Sequence, residues 1–202
     1  LKSLSSDQVA ALTSAQLNAL TSAQLPSLSS AQVRALSTDQ VSKLTTTQIV
    51  GLSTAQVAAL STGQVASLTS VQINAMASDD LKALTTAQVR ALTSDQLSKL
   101  SSDQVALMAT DDIAAISTAQ ISHLSTAAIA ALTTAQAKAL TTASINALTS
   151  AQVAAIETAD LAVLSTAQLN KLGTAQLAQL TSVQVTALTS AQLKSLDGRA
   201  HV

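Results

Sequence analysis

Twenty-four octapeptides run head to tail from Leu4 to Ser195 without an insertion or a deletion. The first is Leu4-Ser5-Ser6-Asp7-Gln8-Val9-Ala10-Ala11, and Leu196 opens a further one that breaks off at Asp197-Gly198-Arg199. So strict a period forces every unit into one local conformation. It also obliges each unit to bury itself against copies of itself, which is the logic of a stacked, quasi-one-dimensional fold.

The eight positions are lettered a to h from the leading Leu. Slot a is Leu throughout except at Met76, Met108, Ile116 and Ile156, and slot c is Ser or Thr in all twenty-four repeats. Slot b is mostly Ser or Thr, slot d Ala or Asp, and slot e Gln. Slot f is Val, Leu or Ile, with Ala137 the small exception, and slots g and h are small, polar or basic.

A helix N-cap at slot b accounts for this order. The hydroxyl accepts from a free amide of the first turn, and the Gln three residues on reaches back to the cap amide, which makes a capping box. The residue before the cap is then the slot-a Leu and the fourth helical residue is the slot-f aliphatic, the two positions of a hydrophobic staple. Leu12, Thr13, Gln16 and Leu17 carry the whole signature, as do Leu84, Thr85, Gln88 and Val89.

The charges place the helices independently. Asp7, Asp39, Asp79, Asp80, Asp95, Asp103, Asp111, Asp112, Glu157 and Asp160 all fall in slots b, d or e. Lys2, Arg34, Lys43, Lys82, Arg90, Lys99, Lys138, Lys171 and Lys194 all fall in slots g or h. Acids leading and bases trailing in each octapeptide is what a helix dipole favours. Asp39 with Lys43 and Asp95 with Lys99 also have the favourable acid-first i,i+4 spacing.

Two rival structures fit less well. In one continuous helix each octapeptide would rotate the apolar stripe by about 80° beyond two turns, so no partner could follow it, and Pro26 would lie in the helix interior. In a strand, slots a and f would point to opposite faces, and Ala and Gln are weak strand formers; a β-solenoid is the alternative fold. The expectation is an all-α superhelix of helices of about six or seven residues, one per octapeptide. Such short helices do not persist alone in water, so slots a and f must be buried against neighbouring repeats.

Slot b or slot e departs from the pattern at Ala77 with Asp80, Ala109 with Asp112, Ala128, Ser144, Glu157 with Asp160, and Gly173. Counted from Leu4 these are all even-numbered repeats, which suggests a 16-residue unit with two helices per coil. Duplication of 16- or 32-residue blocks would leave the same trace. The constancy of slot c has two readings: a hydrogen bond to the next coil, or a true cap at Ser78 and Thr110, where Ala77 and Ala109 cannot cap.

Composition narrows the function. There is no Phe, Tyr, Trp or Cys, and the formal net charge is −1. Base-stacking platforms, thiolate metal sites and an electrostatic case for nucleic acid or an anionic membrane are therefore missing, and no apolar run approaches a membrane span. His123 lies in slot h, where a base suits a helix end, and His201 lies in the tail. Asp79-Asp80 and Asp111-Asp112 lack the clustered oxygen ligands of a calcium loop and are read as first-turn acids. The serines have no partnering base and the four glycines are scattered, so neither a nucleophile nor a phosphate loop is assigned. No catalytic, cofactor-binding or metal-binding residue is assigned, and no cofactor is expected. The recurrent Ser/Thr pairs are read as capping and coil-to-coil hydrogen bonding, with a multivalent binding lattice as the sharper alternative.

The pattern seen in Leu52-Ser53-Thr54-Ala55-Gln56-Val57-Ala58-Ala59 resembles the octapeptide tracts of very large bacterial secreted or surface repeat proteins. The resemblance covers residues 1–196 and implies a bacterial, extracellular, non-enzymatic segment. The expected organisation is a single solenoid over 1–196, beginning in mid-repeat at Leu1 and so part of a longer tract, followed by a non-repeat tail at 197–202. The expected role is a spacer, stalk or scaffold. The alternative is an adhesion or binding module for protein, glycan or ice. The expected partners are neighbouring repeats and, through uncapped ends, other copies of the chain.

Overall fold

The computed structural model describes residues 1, 3–21 and 23–197. These residues form twenty-three short α-helices and no strand, which removes the β-solenoid alternative. There is one helix per octapeptide, from Ser6–Ala10 and Ser14–Asn18 through to Ser182–Ala187 and Ser190–Asp197. Most are four to six residues long, a little shorter than expected, and the last has eight.

The start of each helix is set by the box read from the sequence. In repeat 2 the Thr13 amide donates to Gln16 Oε1 at 2.8 Å, and the Gln16 amide donates to Thr13 Oγ1 at 3.2 Å. In repeat 11 the corresponding distances for Thr85 and Gln88 are 2.7 and 3.3 Å. Helices end because slots a and b are both extended: Leu60 has φ −57° and ψ 140°, and Ser61 has φ −69° and ψ 158°. An extended elbow every eight residues is what a single long helix could not accommodate.

Repeat 3 is the exception. Thr21 and Gln24 still form the box, at 2.9 and 3.2 Å, but only a 3-10 turn over Leu25–Ser27 follows. Pro26 occupies slot g there, and without an N–H it cannot make the bond that carries the other repeats into a further α-turn.

The chain divides into two compact units, Leu1–Lys99 and Leu100–Val202, and the boundary falls between one octapeptide and the next. Within the first unit Thr54–Ala59 packs between Ser30–Ala35 and Ser78–Lys82. Within the second, Thr134–Ala139 packs between Thr110–Ala115 and Thr158–Val163, which in turn packs on Ser182–Ala187. Each unit by itself is thus a solenoid in which helices stack on those three repeats away.

This corrects the expectation of two helices per coil. Polar contacts between successive coils join residues 25 to 31 apart in sequence, so a coil takes between three and four octapeptides. Helices stack on those three repeats away, which are of the opposite parity, so no row of even repeats runs through either unit. The six irregular even repeats do not mark a structural 16-residue unit, which leaves block duplication as the account of them.

Slot f forms the innermost row: Val57, Val65, Leu81 and Val89 are wholly buried, and slot a lines the same seam. Slot e is buried as well, which the amphipathic reading did not foresee. Slots b, c, d and g face outward or lie half-buried, so slot c is no core position. Asp197 closes the last helix rather than opening the tail. Lys2, Arg199 and His201 lie outside the described residues.

Candidate functional site

The most constrained side chain in most repeats is the slot-e Gln. Its Oε1 is held by the cap amide of its own helix, which fixes the direction of its Nε2. That nitrogen then donates to backbone carbonyls of the preceding coil. Gln64 Nε2 reaches the carbonyls of Val33 at 3.0 Å and Leu36 at 2.7 Å. Gln88 reaches Val57 at 2.9 Å and Leu60 at 2.8 Å. In the second unit Gln152 reaches Ile121 at 2.9 Å and Leu124 at 2.7 Å.

The acceptors are the slot-f and slot-a carbonyls on either side of a helix end; the slot-f oxygen also accepts the following slot-a amide, as Val57 does from Leu60 at 3.1 Å. One side chain therefore begins its own helix and completes the end of another. Because Gln64, Gln88 and Gln152 are each about 2% exposed, these bonds are shielded from water. A buried carbonyl left without its donor would cost about 1–3 kcal/mol.

Five repeats lack this Gln. Asp80, Asp112 and Asp160 occupy slot e at 5%, 4% and 3% exposure, and Ala128 and Ser144 are also buried. Ser144 turns inward on its own cap, with its Oγ 2.8 Å from Thr141 Oγ1. The Asp80 carboxyl is held above its ordinary range by burial and, secondarily, by the charge of Asp79. Asp160 is raised in the same way by burial and then by Glu157. An ionised carboxylate has only acceptor oxygens, so at slot e it cannot replace the Gln donor.

In these three repeats slot b is Ala77, Ala109 or Glu157, and no side-chain cap forms at any of them. The N-cap stays at slot b even so, since Ala77 and Ala109 keep the extended geometry with ψ 152° and 146°. Ser78 and Thr110 are therefore first helical residues, and the reading of slot c as the cap there is corrected. The other reading of slot c holds at two places. Ser14 Oγ donates to Asp39 Oδ2 at 3.5 Å and Ser30 Oγ to the Ala55 carbonyl at 3.3 Å, each across to the next coil.

The His and paired Asp residues are not brought together. His123 is exposed at its helix end. Asp79 points outward to Lys82 at 3.5 Å while Asp80 points inward, and Asp111 and Asp112 part in the same way. Neighbouring carboxyls thus serve opposite faces of one helix and do not converge. Among the described residues no three His, Cys, Asp or Glu side chains group closely enough to hold a metal. Lys43 meets Asp39 at 2.8 Å as their spacing predicts, whereas Asp95 and Lys99 do not pair.

What remains on the outside is a set of grooves between coils. One, of about 430 Å³, is lined by Thr46, Ser70, Val71, Asn74, Ala75 and Lys99. Another, of about 480 Å³ in the second unit, includes Thr126, Ala130, Glu157, Thr158 and Val183. Both are open and lined from repeats three or four apart, with Ala and hydroxyl side chains among their walls.

A family model described as the ALTTAQ repeat matches residues 15–46, 42–70, 73–110, 105–142 and 153–190. No curated protein shows significant similarity to the chain. The matched stretches cover most of the octapeptide tract in both units, and all five end at slot c.

Proposed function

Because the chain belongs to the ALTTAQ repeat family, we propose that it is a non-catalytic structural segment, a spacer or scaffold within a bacterial surface or secreted protein. The observation that carries this reading is the sameness of the joint. Where a later coil carries Gln in slot e, its Nε2 donates to the slot-a carbonyl 28 residues earlier in both units, and among the described residues no repeat gathers a group of three or more His, Cys, Asp or Glu side chains. A structure built this way transmits length and stiffness, and its stability grows with each added repeat. The surface or secreted setting rests on the resemblance of the octapeptide to the tracts of large bacterial repeat proteins.

The test is to excise whole octapeptides at different places in the parent protein. A spacer loses reach in proportion to the number removed, wherever the cut is made. Loss of function at one particular repeat, with helicity intact, would overturn the spacer reading.

A second reading, a multivalent binding surface, is favoured by one observation: similar hydroxyl-edged grooves occur in both units. For a binder of protein, glycan or ice, bound ligand per chain would rise with repeat number.

A further inference from the structure

Donation from a slot-e Gln to the slot-a carbonyl 28 residues back ties successive coils, and in the second unit these ties fail in a pattern. Repeats 16, 18 and 20 carry Ala128, Ser144 and Asp160 in slot e, alternating with the Gln of repeats 17 and 19. Gln136 and Gln152 make the usual tie, to the Met108 carbonyl at 2.9 Å and the Leu124 carbonyl at 2.7 Å. The carbonyls that the missing Gln side chains would reach are those of Leu100, Ile116 and Leu132. All three residues are buried, and among the described residues no donor reaches their oxygens.

Stacking decides what these gaps do. Thr126–Ala130 packs on Ser102–Leu107, Thr142–Ala147 on Thr118–Ile121, and Thr158–Val163 on Thr134–Ala139. A step of two repeats, set against a stacking step of three, puts the three gaps in three different rows. Within residues 124–163 every row therefore loses one tie. In the first unit the six repeats over residues 28–75 keep all of theirs, and Asp80 then interrupts a single row.

The same stretch is thin in its core. Ala137 is buried in slot f, where every other repeat places Val, Leu or Ile. The groove of about 480 Å³ lies against it as well, lined there by Thr126, Ala130, Ala154, Glu157 and Thr158.

We propose that residues 124–163 are a yield section of the solenoid, opening as one block while the rest of the chain stays folded. In a repeat array each repeat is held by its own local bonds and by its neighbours, so a stretch poor in both opens first. Three buried carbonyls without donors and a missing aliphatic side chain weaken both terms here. Gln136 and Gln152 remain to set the register when the section closes. Under load the section lengthens before its neighbours do. Local opening follows from these joints alone and holds whether or not the chain serves as a spacer.

Native-state hydrogen exchange of the 202-residue chain, resolved by peptide, tests this with two variants. In the parent, residues 124–163 are expected to exchange together, on the order of 100-fold faster than residues 28–75. Ala128→Gln/Ser144→Gln/Asp160→Gln/Glu157→Ser restores the donors and the one missing cap. It should slow exchange in 124–163 about tenfold or more and leave 28–75 unchanged. Gln48→Ala/Gln64→Ala adds gaps to the two rows of the first unit that Asp80 leaves intact, and residues 44–83 should then exchange as 124–163 do. This second variant only removes side chains, so it decides the matter where the restored one does not fold. Single-molecule stretching of the parent should give an initial step of up to about 140 Å, from the residues of this section at ~3.5 Å each, which the restored variant loses. Equal protection of 124–163 and 28–75 in the parent, a restored variant that exchanges as the parent does, or a Gln48→Ala/Gln64→Ala chain still protected over 44–83 would each overturn the proposal.

Discussion

Gln88 Nε2 lies 2.8 Å from the carbonyl oxygen of Leu60, 28 residues earlier in the chain. The same side chain accepts the Thr85 amide at 2.7 Å, so one residue both starts its own helix and anchors it to the preceding coil. Gln88→Ala removes both functions and leaves the Val57 and Leu60 carbonyls buried without that donor. We expect a loss of about 2–4 kcal/mol in urea unfolding. Gln88→Glu separates the two roles. It keeps the acceptor for Thr85 but presents oxygen to oxygen across the coil, so at neutral pH it should destabilise at least as much as Ala and recover on acidification.

Asp80 stands where a Gln would complete the same joint. Asp80→Gln combined with Ala77→Ser restores the capping box and supplies a donor toward the Ile49 and Leu52 carbonyls. The gain is expected to be about 1–3 kcal/mol, read as a higher Tm. An unchanged or lower Tm would show that the elbow at this repeat cannot take the common arrangement.

The two raised carboxyls give stability a definite sign with pH. Burial holds Asp80 and Asp160 above the ordinary value of 3.8, so the folded state binds their protons more tightly than the unfolded chain does. Their protonation stabilises the fold as pH falls through the raised values. That contribution is complete below the unfolded value and is lost again as pH rises. Asp80→Asn/Asp160→Asn should therefore be more stable than the parent at neutral pH, with the difference shrinking as the pH is lowered toward 4. Thermal melts across that range measure it; a difference that widened on acidification would contradict the assignment.

Register predicts which deletions the fold accepts. The coil-to-coil bonds join slot e to slots a and f, so removing residues 84–91 leaves every remaining Gln facing the same kinds of carbonyl. We expect a single unfolding transition, with helicity lowered in proportion to length. Removing residues 84–87 alone sets slot e against the wrong slots and should broaden or abolish the transition. A requirement for 16-residue deletions would revive the two-repeat unit.

Pro26→Ala returns an amide to slot g of the only described repeat that lacks an α-helix. An α-helix should replace the 3-10 turn over Leu25–Ser27, with a gain of about 1–3 kcal/mol reduced by ~0.5–1 kcal/mol of added unfolded-chain entropy. Amide hydrogen exchange around Leu28 reports it.

One signal in the sequence pointed to the buried donor. A capping box accepts Glu as readily as Gln, and a helix dipole prefers the acid, yet slot e holds Gln in nineteen of twenty-four repeats and Glu in none. That bias is explained by the Nε2 hydrogens, which a carboxylate lacks. The paired acids at Asp79-Asp80 were legible as helix-start residues, but their split between solvent and interior depends on packing across the coil.

By itself the sequence determined where the α-helices begin, that none before the last runs past its octapeptide, and that slots a and f face inward. These follow from capping and staple contacts that span five residues or fewer, and so are complete within one repeat. Only the tertiary structure decided how many octapeptides make a coil, that odd repeats stack on even ones, and that the capping Gln is also the tie between coils. Those depend on the angle at each extended elbow, summed over three to four repeats, and on which carbonyls then come within reach of Gln Nε2. An eight-residue pattern does not encode that sum locally, because each elbow contributes only a small part of the closure.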